Sequence, residues 1–401
     1  MRIGAPKHRW HYYAYTRNIL HRLPEATYVP VEDVFSLWAR VGRLGNRIAQ
    51  KITKRPHLFH FNANNQFFDA GLNAVDLFHF FNGISYGKRP WVTTFETAIP
   101  RFLEVMQALS TGELDIASWQ AWRFRKAMEA TASDACLGIL PLSDSARRAQ
   151  EVVLQWAAPE VSAAIRAKMR VLHPPQPALL NTYEEKPVFP LKNLRFILVG
   201  HDFFRKGGAE ILDTFIKMHS QSPLPLELII VSRLDGHDYA TQADEAQIQQ
   251  ARQKIQTHAA WIKHFDVLPH QDVLALMRTA HVGLLPTYAD SYGYSVLELQ
   301  ASGCPVITTN INALPEINAP DRGWIAPVPL EPLGNAPYHT PEGRAAISAA
   351  IRSGLQQALE EIFADPESIL RKGAAALHYI RTHHDPEQHA NVLREIYNSA
   401  F

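Results

Sequence analysis

Two carboxylates, Asp290 and Glu298, stand eight residues apart in the stretch LLPTYADSYGYSVLELQASGCPVITTNINALPEI, which runs from Leu284 to Ile317. A carboxylate accepts hydrogen bonds from two vicinal hydroxyls, which is what a ribose or hexose presents. Gly293, between Tyr292 and Tyr294, permits close approach of the backbone to a ligand. The helix that begins near Ser295 offers N–H groups to an anion. A structural alternative stands beside this reading, because Ser295-x-x-Glu298 is a capping-box pattern in which Glu298 only satisfies an N-cap amide.

A second stretch, GHDFFRKGGAE from Gly200 to Glu210, places Arg205 and Lys206 ahead of Gly207 and Gly208 at a helix start. Helix N-terminal amides and flanking cations favour an anion there. The spacing departs from GxxxxGK[ST], so it is not a nucleoside-triphosphatase loop. Two cations on a solvated loop are the alternative.

Both stretches follow short apolar strands. LRFILVG, LELIIVS, HFDVLP, HVGLLP and PVIT (Pro305 to Thr308) alternate with helical segments from Leu194 onward. In the first half VDLFHFFNG, PWVTTFE and ACLGILPLS read as strands, as do HLFHFN (His57 to Asn62) and VLHPPQP (Val171 to Pro177). Strands alternating with helices imply α/β structure with parallel sheets, here in two doubly wound, Rossmann-like domains. The polar, proline-containing segment from Asn181 to Lys192 marks the linker. The expected division is 1–185, completed by the C-terminal helix 386–401, and 186–385.

With 401 residues, 46% apolar and 20% charged, the chain can form two cores. Its net charge of +1 argues against bulk attraction to nucleic acid. Cys136 and Cys304 read as buried thiols, and the 19 histidines form no HExxH or CxxC pattern, so no metal site is expected. The first residues lack an apolar core for a signal peptide and no apolar run reaches membrane-spanning length, so a cytoplasmic location is expected. Residues 6–17 interleave basic and aromatic residues, which suits stacking on sugars or bases, or a half-buried helix. Between 40 and 55, Arg40, Arg43, Arg47, Lys51 and Lys54 run beside an apolar row. That pattern suits peripheral contact with an anionic membrane surface, or a solvated basic face.

DSYGYSVLE, ASGCPVITT and PEI, in this order and spacing, resemble the signature of retaining GT-B glycosyltransferases of the family 4 type. VGHDFFRKGG is similar to that family's G-R-x-x-x-x-K-G loop. The resemblance spans most of Leu194 to Trp324 and implies a GT-B fold with two domains facing a cleft. It further implies metal-independent transfer from a nucleotide-sugar, with retention, to a saccharide or lipid-linked acceptor, and no cofactor besides that co-substrate. Glu298 is implied to hold the donor ribose, and Asp290 the transferred sugar. Amides around Tyr292, Gly293, Tyr294 and Ser295 would face the sugar or diphosphate. Lys206 would neutralise the leaving diphosphate with Arg205 or His201, and Gly200, Gly207 and Leu268 complete the donor side.

Three departures stand out. Asp290 replaces the usual Glu, His201 replaces an arginine, and Glu96 in PWVTTFE stands where a histidine is usual, near the acceptor. Glu96 is a catalytic candidate, or a structural glutamate. A non-catalytic sugar-nucleotide binder is the competing functional reading.

Overall fold

A computed structural model describes residues 1–6, 14–19, 22–35, 65–111, 114, 118–187, 191–236 and 238–401. The basic row at 40–55, the expected strand at 57–62 and most of the basic-aromatic segment lie outside them. The described chain forms two compact units, Met1–Pro175 with Pro386–Phe401, and Gln176–Asp385.

The first unit is built on strands β1 (Arg2–Pro6), β2 (Thr27–Val31), β3 (Gln66–Phe67), β4 (Leu77–Phe81), β5 (Ile84–Ser85), β6 (Trp91–Phe95) and β7 (Cys136–Pro141). Five of them make a parallel sheet in the order β2-β1-β4-β6-β7, with β3 and β5 paired apart. β4 and β6 are buried at every position, as expected of strands covered on both faces. The expected strand at 171–177 does not form. Arg170 and Leu172 donate amide hydrogen bonds to β7, but Pro174 and Pro175 have no N–H with which to continue the ladder.

The second unit has six strands, β8 (Leu194–Asp202), β9 (Leu226–Arg233), β10 (Ile262–Phe265), β11 (Val282–Leu285), β12 (Val306–Thr309) and β13 (Gly323–Ala326). They pair in parallel in the order β10-β9-β8-β11-β12-β13. This unit begins at Gln176, upstream of the boundary read from sequence, because residues 176–187 are fastened to it. The Leu179 amide donates to Ala301, the Lys186 ammonium donates to the Ser302 carbonyl at 2.8 Å, and the Tyr183 ring packs on Gly303. Polar composition marks flexible linkers, but here the polar side chains meet backbone acceptors.

Candidate active site

Strand order in the second unit reverses between β8 and β11, which pair directly through Phe196–Val282, Ile197–Gly283 and Leu198–Leu284. Open parallel sheets bind ligands outside the carboxyl ends of the strands at such a reversal. The loops leaving β8 and β11 carry the two stretches singled out from sequence.

The loop after β8 turns tightly into the helix Gly208–Met218. Gly207 caps that helix in the left-handed region at φ 78°, and a β-carbon there would meet the Pro286 carbonyl oxygen at 2.2 Å. Only glycine lets the two loops approach this closely. Gly200 has a related role, since a β-carbon would crowd Lys206 Cγ at 3.0 Å, so its absence leaves room for the lysine stem. The loops are then laced together. Tyr288 N and Thr287 Oγ1 both donate to the Arg205 carbonyl at 2.9 Å, and Thr309 Oγ1 donates to the Thr287 carbonyl at 2.9 Å.

Lys206 and Asp290 meet across this seam. The Lys206 ammonium is hydrogen-bonded to Asp290 Oδ2, and the two side chains are only 11% and 17% exposed. Asp290 Oδ1 accepts from the amides of Gly293 at 3.1 Å and Tyr292 at 3.3 Å. Burial by itself raises the Asp290 carboxyl, but the Lys206 ammonium, the Arg205 guanidinium and the Tyr292 amide outweigh it. Asp290 is therefore held below the ordinary carboxylate range. Asn312 was not anticipated from sequence. Its side-chain amide donates to the Asp290 carbonyl at 2.8 Å, and its backbone adopts φ 45°, a conformation that asparagine tolerates.

Arg205 faces a different set of partners. Its guanidinium is paired with Asp202, donates to the Ala289 carbonyl at 2.8 Å and lies 5.5 Å over the Tyr239 ring. Its charge is largely answered within the loop pair, and it fixes the backbone one residue ahead of Asp290. His201, the next-to-last residue of β8, is exposed, and its carbonyl accepts from Ser232 Oγ at 3.4 Å.

The helix Tyr294–Ala301 starts at Gly293, whose φ of 92° makes it the N-cap, and no side chain caps it. Ser295 therefore lies inside the first turn, and the Ser295–Glu298 capping box does not form. A β-carbon on Gly293 would meet Leu314 Cδ2 at 2.6 Å, so the short helix Leu314–Ile317 packs directly beneath the helix start. Tyr292 is fully buried and its ring lies 5.3 Å from that of Tyr294. Glu298 Oε1 sits 2.9 Å from His270 Nε2, with the carboxylate 13% and the imidazole 47% exposed. His270 heads the helix His270–Thr279, two residues after the half-buried Leu268 in the loop following β10. Sequence reasoning missed His270. Its signal was its place in a third loop at the carboxyl ends of the strands.

Glu96 belongs to the first unit. It follows β6, its amide donates to Asn82 Oδ1 at 3.2 Å, and its carboxylate pairs with Arg101 at 3.2 Å. Among the described residues no three His, Cys, Asp or Glu side chains gather as a metal-binding set.

Residues 193–332 match the family model described as Glycosyl transferases group 1. The second unit carries a glycosyl transferases group 1 domain. Among sequence relatives, the glycogen synthase of Mycobacterium tuberculosis is 25% identical over 162 residues, 40% of this chain and 33% of the synthase. The O-antigen chain mannosyltransferase B of Escherichia coli is 30% identical over 70 residues, 18% of each chain. The chain thus spans about a third of the length of the synthase it matches. Among solved structures, HepE of Anabaena in complex with UDP aligns over 100% of both chains with a TM-score of 0.59 and 11% identity. Sucrose-phosphate synthase from Thermosynechococcus elongatus aligns over 95% of this chain and 82% of its own, with a TM-score of 0.54 and 16% identity. With the two parallel sheets, these neighbours establish the α/β, GT-B fold class. The matched region spans both loops described above, from Gly200 to Glu298.

Proposed function

We propose that the chain is a retaining glycosyltransferase that moves a sugar from a nucleotide-sugar donor to a glycan or lipid-linked acceptor without a metal ion. The observation that carries this reading is the Lys206–Asp290 pair at the switch point, beside the glycine-capped start of the Tyr294–Ala301 helix. Glycosyl transfer releases a nucleoside diphosphate, on which negative charge builds as the bond to the sugar breaks. A lysine ammonium fixed by Asp290 is pre-oriented for that charge, and a fixed cation in a poorly solvated site stabilises it more than one free in water. Asp290 is ionised over the whole physiological range, so it accepts hydrogen bonds from sugar hydroxyls while holding Lys206. Glu298 accepts from the ribose hydroxyls, with His270 orienting its carboxylate.

Arg205 acts in this reading by positioning the Asp290 loop, and His201 is the remaining group able to face the diphosphate. HepE was solved with UDP and with UDP-glucose, so a UDP-sugar is the first donor to try. The basic row at 40–55 suits a peripheral place on an anionic membrane, where a lipid-linked acceptor would be met. No helix among the described residues is long and apolar enough to cross a membrane.

One observation favours a second reading, a sugar-nucleotide binder without turnover. Glu96, at the family's histidine position, is already engaged by Arg101. The test is turnover: the purified chain is incubated with UDP-, GDP- and ADP-sugars and released nucleotide is followed. Slow donor hydrolysis abolished by Lys206→Ala supports the transferase. Donor binding with no release, in wild type and variant alike, supports the binder.

A further inference from the structure

A cavity of about 280 Å3 lies in the second unit, framed by the helices Gly208–Met218, Glu245–Thr257 and Pro341–Ala364 together with Thr241 and Tyr288. Lys206, Asp290, Gly293 and Glu298 do not line it. Its walls are polar, with three cationic side chains, Lys254, Arg344 and Arg352, against two acidic ones, Glu210 and Asp213. Asp213 answers both Lys254 and Arg352, the latter at 2.9 Å. Arg344 donates to the Tyr338 carbonyl at 3.1 Å and has no acidic partner among the described residues.

Glu210 is 4% exposed. Its Oε1 accepts from the Tyr288 hydroxyl at 2.8 Å and the Ser348 hydroxyl at 2.6 Å, and its Oε2 has no hydrogen-bond donor. A buried carboxylate oxygen without a donor is costly and is uncommon in a finished core. The cavity therefore pairs a surplus of positive charge with an acceptor that lacks a donor. An occupant answering both carries a negative group for Arg344 and hydroxyls for Glu210 and the neighbouring Gln247 and Gln250. Small-ligand pockets run from roughly 300 to 1,000 Å3, so this one, just below that range, suits a monosaccharide-sized molecule better than a nucleotide-sugar.

We propose that this cavity is a binding site for a small hydroxylated anion of the sugar-phosphate or sugar-acid class, separate from the donor site. The proposal does not rest on the transferase reading. Isothermal titration of the full chain with ribose 5-phosphate, gluconate, inorganic phosphate and ribose tests it. At least one of ribose 5-phosphate and gluconate saturates the protein at one site, and binds more tightly than phosphate or ribose alone. Arg344→Ala weakens that binding by about tenfold, the loss expected for one charge-assisted contact. Ala345→Trp, at an exposed position on the cavity wall, blocks it without removing a polar group. Lys206→Ala leaves it unchanged, and circular dichroism confirms that each variant is folded. Absence of saturable binding overturns the proposal, as does binding lost in Lys206→Ala and kept in Arg344→Ala, which would place the ligand on the donor loop. Phosphate binding as tightly as the best sugar anion would mean an adventitious ion only, and also overturns it.

Discussion

Lys206 and Asp290 each depend on the other being charged. Removing the lysine leaves a mostly buried carboxylate supported by two backbone amides and the more distant Arg205 charge, at a cost of about 3 kcal/mol. Lys206→Ala is thus expected to lower stability as well as abolish donor turnover, and Lys206→Arg to restore the first better than the second, because a planar guanidinium does not reproduce a point charge. The linkage has a definite sign. Asp290 is held below its ordinary value in the folded chain, so its contribution is complete above the ordinary carboxylate pKa and is lost as pH falls through the folded one. Urea unfolding between pH 3 and 6 should show wild type losing stability toward the acid end more steeply than Asp290→Asn. Equal slopes would mean that the pair contributes nothing to the acid limb. Glu298→Ala is expected to weaken nucleotide-sugar affinity by about 1–3 kcal/mol, the cost of charged hydrogen bonds left unmade, with little change in folding. Because the helix start is capped by Gly293, a large stability loss with unchanged affinity would contradict the ribose role.

At the scale of elements, the glycines at the two helix starts determine whether the loops can meet. Both are left-handed, but the obstacles to a side chain differ. At Gly207 it is a backbone carbonyl, that of Pro286, and at Gly293 the tip of the Leu314 side chain. A leucine methyl can rotate away, whereas a carbonyl at the end of β11 moves only with the strand. Gly207→Ala should therefore destabilise the second unit by more than Gly293→Ala, with the latter near the roughly 1–3 kcal/mol typical of a strained backbone residue. Equal losses in chemical denaturation would mean that the seam between the loops is slack. Apolar runs such as LRFILVG and LELIIVS revealed the strands because a parallel sheet covered on both faces needs continuous apolar stretches. The glycine-bounded loops were legible because their conformations exclude other residues. Partners set by tertiary approach were not legible. Ala289 beside Arg205, Asn312 behind Asp290 and His270 beside Glu298 come from loops brought together only by strand order. The Ser295–Glu298 capping box, an alternative that the sequence leaves open, does not form because the helix starts two residues earlier with Gly293 as its N-cap.

At the scale of the whole molecule, the last helix, Pro386–Asn398, returns to the first unit after the chain has built the second. It is held there by a buried polar cluster. The Tyr397 hydroxyl is hydrogen-bonded to His79 Nδ1 at 2.5 Å and lies 3.2 Å from the Tyr28 hydroxyl, while Thr94 Oγ1 lies 3.4 Å from His79 Nε2. His79 is fully buried in β4, and burial lowers its pKa from the ordinary 6.5 to about 3. A base whose pKa is depressed by folding is neutral in the native chain and protonated in the unfolded one below about pH 6.5. Its contribution is therefore complete above that value and is lost as pH falls from there toward 3. The first unit should lose hydrogen-exchange protection in β1, β4 and β6 between pH 6.5 and 4, with rates corrected for intrinsic pH dependence. β12 provides the internal control, since no histidine lies within it or within β11 and β13, the strands it pairs with. His79→Gln, which keeps a hydrogen-bonding side chain but does not titrate, should flatten that response. Truncation after Asp385 should remove the same protection at every pH, because Tyr397 leaves with the helix. Protection in β1, β4 and β6 that survives the truncation would show the last helix to be an appendage of the first unit and no part of its core.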